Sequence, residues 1–74
     1  MSTFERLITN IRGIIRERGL SYDYVAKKAG LGKKQFSALL AGREVFRTEY
    51  TLAIANALGL TTNDLLQKDW GAGE

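Results

Sequence analysis

Apolar residues recur along this chain at three- and four-residue intervals, and no stretch of useful length alternates as a half-buried strand does. Phe4, Leu7, Ile8, Ile11, Ile14 and Ile15 form one such stripe and predict a first helix. Ser2 and Glu5 have capping-box spacing at its start, and Gly19 fits the position that ends it. Gly13 lies inside this helix, where glycine costs about 1 kcal/mol against alanine but lets another helix come close. Ser21 predicts the N-cap of a second helix over about 22–29, with Val25, Ala26 and Ala29 turned inward and Gly30 ending it. A third helix follows over about 33–41, carrying Phe36, Leu39 and Leu40 and ended by Gly42. Residues 43–47 read as a loop. Thr48 then caps a fourth helix bearing Tyr50, Leu52, Ile54, Ala55 and Leu58, which Gly59 closes. Thr61 and Asp64 repeat the capping-box spacing before a short last helix with Leu65 and Leu66. The pattern predicts an all-α, compact five-helix bundle, without internal repeat, linker or low-complexity segment.

Composition narrows the chemistry. Seventy-four residues allow one domain, expected over 1–69, with a C-terminal tail over 70–74 of which 71–74 are expected to fray. A domain this small buries a limited fraction of its surface and usually needs a staple or a partner. There is no Cys, His or Pro, which removes disulfides, thiolate nucleophiles, cysteine-ligated metals and the commonest general base. Oligomerisation is the staple that remains, and no cofactor or metal is expected. Asp23, Asp64, Asp69 and the glutamates show no spacing that sets them apart from surface charge, and so small a chain offers no deep pocket. The expectation is therefore no enzyme and no small-molecule substrate. No run of eighteen apolar residues is present and the N-terminus lacks a secretory pattern, so a cytoplasmic protein without a membrane partner is expected.

The net charge of +3 is unevenly divided. Residues 27–47 hold Lys27, Lys28, Lys33, Lys34, Arg43 and Arg47 against Glu44 alone, a local +5, while the remainder carries −2. Such a division fits either a polyanion-binding face or a solvated surface, and charge alone leaves both open. The elements around it decide. Two short helices joined at Gly30, with Ala26 leaving room for a close crossing, describe a helix-turn-helix over about 21–41. Leu31 and Phe36 anchor the turn and the third helix, leaving Lys33, Lys34, Gln35, Ser37 and Ala38 on the open face. A helix of this kind enters the major groove by its N-terminal end.

The order of small motifs then becomes specific. Leu20-Ser21, Val25-Ala26, Ala29-Gly30-Leu31, Phe36-Ser37, Gly42-Arg43, Ile54-Ala55-Asn56-Ala57-Leu58-Gly59-Leu60 and Asp64-Leu65-Leu66 follow one another from about residue 7 to residue 66. In this the chain resembles the phage repressor and Cro-like (XRE) helix-turn-helix family. The resemblance implies a lambda repressor-like DNA-binding domain that binds double-stranded operator DNA as a two-fold homodimer. It implies a transcriptional regulator of repressor or Cro-like, phage-like type.

The chain also departs from that family. Tyr22 stands where members often place a phosphate-touching Gln; its hydroxyl either donates to phosphate or belongs to a partly exposed aromatic. Gly32 stands where Ser or Thr often caps the third helix, and caps it without offering DNA a side chain. Leu40 and Ile15 replace a frequent Glu–Arg pair, an exchange that packed hydrophobes tolerate. The loop after Gly42 lacks the frequent Pro and is slightly longer.

Within this frame, one of Lys33 and Lys34 is expected at a base and the other at a phosphate. Both oppose the helix macrodipole, so their charge serves something other than stability. Gln35 either reads adenine or is a surface residue, and Ala38 either meets a thymine methyl or lets the helix sit deep. Arg43 and Arg47 are expected at phosphates or a minor groove. Lys27 and Lys28 add field rather than contacts, and Glu44 is repelled by DNA unless an arginine pairs with it. Related domains often dimerise near Leu60, Thr61 and Thr62, and Trp70 either folds back or joins that interface. The competing expectation is a protein-binding helical module of antitoxin or anti-regulator type that retains the fold.

Overall fold

Five helices follow in the order α1 (Thr3–Glu17), α2 (Tyr22–Ala29), α3 (Lys33–Leu40), α4 (Thr48–Leu58) and α5 (Thr62–Gln67), with no strand among the described residues. The structure, a computed structural model, describes residues 3–67 and the side chains of residues 5–66. The expected cap at Ser2, the Phe4 side chain, Trp70 and the tail over 70–74 lie outside these. Every helix contributes to one core, in which Ile11, Ile14, Phe36, Leu39, Ile54 and Leu65 are fully buried. The α1 stripe faces α3 and α5, while α2 packs between α3 and α4. Gly13 is buried within α1.

Four turns share one construction. At Gly19, Gly30, Gly42 and Gly59 the glycine N–H donates to the carbonyl three residues back, and the next N–H donates to the carbonyl five back. These are Schellman closures. At Gly30 the left-handed backbone (φ 75°) turns α2 into α3 within three residues, a conformation that a Cβ disfavours. The residue after the glycine normally packs back on its helix, and Leu20, Leu31 and Leu60 do so half-buried. After Gly42 that place belongs to the exposed Arg43.

Two helix boundaries differ from the sequence pattern. Thr48 is the first residue of α4 rather than its cap: Arg47 holds the extended cap backbone, and its carbonyl accepts from the N–H groups of Tyr50 and Thr51 at 3.0 and 3.1 Å. The α3 helix ends at Leu40, with Ala41 as the C-cap. At α5 the expected capping box forms: Thr61 N–H donates to Asp64 Oδ2 and Asp64 N–H donates to Thr61 Oγ1, both at 3.1 Å.

Three fastenings have no signature in the apolar pattern. Asn10, 2% exposed within the α1 stripe, donates through Nδ2 to the Leu65 carbonyl at 2.6 Å. Arg18 donates through Nη1 to the Leu58 carbonyl at 2.7 Å, placing a cation at the C-terminal end of α4 where the helix dipole favours it. Phe46 is 6% exposed and pins the 43–47 loop to the core.

Candidate nucleic-acid interface

The α3 residues at offsets of one, four and five share a helix face. Lys33, Lys34, Ser37 and Ala38 occupy such positions, and Arg43 joins them to line one open surface groove. The Arg43 placement follows from the closure at Gly42, where its N–H returns to the Ala38 carbonyl at 2.9 Å. Lys33 and Lys34 are exposed, Ser37 and Ala38 half-buried. Among the described residues none of Lys33, Lys34 and Arg43 has an ion-pair partner. Gly32 takes the α3 N-cap with no side-chain bond to the first turn, and no acid lies in that turn. Three cations thus converge on a face where none of them is ion-paired among the described residues.

The other expected site residues separate. Gln35 turns from the open face: partly buried, it donates through Nε2 to the Tyr50 hydroxyl of α4 at 2.8 Å. Arg47 is exposed at the start of α4, outside the groove lining. Glu44 and Val45 are exposed in the loop between. Lys28 lies 3.3 Å from the Tyr24 hydroxyl on the outer side of α2. Tyr22, half-buried at the head of α2, meets the Phe36 ring edge-on, with centroids 5.8 Å apart at 89°. Its hydroxyl accepts from Arg12 Nε at 3.2 Å.

Arg12 belongs to no sequence motif and lies outside the basic 27–47 window; the fold alone brings it to Tyr22. The residues expected at a dimer interface differ in exposure. Leu60 and Thr62 are half-buried, Thr61 is exposed with its hydroxyl used in the α5 capping box, and Trp70 is not among the described residues. Thr62 lines an apolar groove of about 260 Å³ with Leu7, Phe46, Leu52 and Leu66.

Among the described residues no helix is long and apolar enough to cross a membrane, and no group of His, Cys, Asp or Glu could hold a metal ion. Comparison with curated proteins and with solved structures finds no match. A family model described as a helix-turn-helix domain does match, over residues 8–69. That span takes in every residue lining the α3 groove, together with Arg12, Tyr22 and Arg47. The chain belongs to the helix-turn-helix domain family.

Proposed function

We propose that the protein is a sequence-specific regulator of transcription, of repressor or Cro-like type, that binds double-stranded DNA as a two-fold homodimer. The observation that carries this reading is the groove on α3, where Lys33, Lys34 and Arg43 stand together without an ion-pair partner among the described residues. Unneutralised cations repel one another, and a phosphate backbone supplies the missing charge. The small Ser37 and Ala38 between them leave room for base edges to approach. One of Lys33 and Lys34, at the N-terminal end of α3, carries the base contact, with guanine as the natural acceptor, and the other meets a phosphate. Arg43 and Arg47 serve the backbone. Leu60, Thr61 and Thr62, at the start of α5, form the contact between copies.

Replacing both lysines tests the assignment. The Lys33→Ala/Lys34→Ala protein is expected to keep its helical circular dichroism and lose its preference for an operator selected from random duplexes. Unchanged operator affinity in the folded double variant removes α3 as the reader. The apolar groove beside Leu52 favours the second reading, a helical module for a protein partner. It prevails if the purified chain shifts no duplex at low salt while one specific protein co-purifies.

A further inference from the structure

We propose that Arg12 and Tyr22 form a phosphate clamp that seats α3 against DNA, with Arg12, from outside the helix-turn-helix, as its charged half. The clamp rests on the DNA-binding reading above.

Three helices meet at this point. The α1 helix supplies Arg12, α2 supplies Tyr22, and α3 supplies Phe36, whose buried ring fixes the Tyr22 ring edge-on. The hydrogen bond between the first two has a consequence for what the pair can bind. A phenol oxygen has one hydrogen to give and two lone pairs to receive with. Arginine can only donate, so the 3.2 Å bond from Nε engages the acceptor side of the hydroxyl and leaves its hydrogen available. Of the five guanidinium N–H groups one is used, and the four on the terminal nitrogens remain. Tyr22 is the only hydrogen-bond partner of Arg12 among the described residues.

The pair therefore presents donors and one positive charge. A phosphodiester is its complement, an anion that only accepts and that guanidinium matches with two parallel bonds. Arg12 is exposed and Tyr22 half-buried, so a ligand can reach both. Tyr22 packs on Phe36, in the turn of α3 between Lys33 and Ser37, which ties the clamp to the reading helix. Contacts of this type set register and carry no sequence information directly.

The test uses the full chain, an operator duplex selected by the wild-type protein, and a random duplex of equal length. Arg12→Ala is expected to weaken binding to both duplexes by the same factor, about tenfold. It also flattens the slope of log affinity against log salt by about 0.9, the loss of one phosphate. Arg12→Lys keeps the slope. Tyr22→Phe weakens the wild-type protein several-fold, and the Arg12→Ala/Tyr22→Phe double variant loses less than the product of the two single losses, because both side chains act on one phosphate. A scan of single neutral methylphosphonates finds one position per half-site that the wild-type protein senses and Arg12→Ala does not. Tyr22→Phe keeps the ring on Phe36, so it decides the matter even if Arg12→Ala unfolds: its penalty must vanish on the duplex neutralised at that position. Wild-type binding with unchanged affinity and slope in folded Arg12→Ala and Tyr22→Phe overturns the clamp and leaves the DNA reading intact. Failure of the wild-type protein to bind either duplex overturns that reading and the clamp with it.

Discussion

Gln35 occupies the third position of α3, where an amide side chain invites assignment as a reader of adenine, yet its Nε2 is held 2.8 Å from the Tyr50 hydroxyl. A side chain that must break a part-buried hydrogen bond to reach a base is better placed to join α3 to α4. Gln35→Ala is accordingly expected to cost about 1 kcal/mol of stability, and Tyr50→Phe a similar amount. The double variant should lose less than the sum, since both remove the same bond. Denaturant titrations of the four proteins check this, and the selected operator should be unaltered by Gln35→Ala. A relaxed preference at one base pair would restore Gln35 to the reading face. The case also marks a limit of sequence reading. Lys33, Lys34, Ser37 and Ala38 were legible as one face because helical periodicity is a local property. Gln35 with Tyr50 spans 15 residues, Arg12 with Tyr22 spans 10, and Asn10 with Leu65 spans 55. Such pairs depend on how helices dock, which no spacing along the chain encodes.

At the level of elements, the glycine-closed turns were the most legible part of the fold, because left-handed closure is a one-residue preference. The loop over 43–47 was the least legible. Its anchor, Phe46, belongs to no periodic run, so nothing nearby distinguishes it from exposed Val45. The turns also expose an inconsistency that carries information. Gly19, Gly30 and Gly59 are each followed by a half-buried leucine, and Gly42 is followed by exposed Arg43. A leucine in that place would pack against its own helix, so arginine gives up a small local stabilisation and projects its charge beside Lys33 and Lys34. Arg43→Leu is therefore expected to leave the melting temperature unchanged or raise it by a few degrees, about 4–8 °C per kcal/mol gained in a domain of this size. The same substitution should weaken DNA binding and reduce the salt slope by about 0.9. A lower melting temperature with unaltered binding would mean that Arg43 serves the turn and not the ligand.

The dimensions of the whole molecule bear on how many copies a site must hold. The described residues measure 30 × 25 × 20 Å. Two major-groove segments on one side of B-form DNA lie about 34–36 Å apart. With eight residues, α3 is about 12 Å long, enough to fill one groove segment and no more. On the proposed DNA-binding reading a single copy would cover one half-site, and a second copy is the simplest means of covering the next. The same association would bury surface that so small a domain leaves exposed. Selection from random DNA is then expected to return inverted repeats with half-site centres about 10 base pairs apart, bound by two chains per duplex in sedimentation. Deleting one half-site should cost more affinity than halving the number of contacts, because it also removes the contact between copies. Thr62→Glu gives an independent check. The new acid sits in the first turn of α5, where the helix dipole favours it, so folding should persist. Two such charges facing each other across a two-fold axis should abolish cooperativity and leave half-site affinity intact. An asymmetric motif occupied by one chain, or unaltered cooperativity in Thr62→Glu, would move the contact away from α5 or dispense with the dimer.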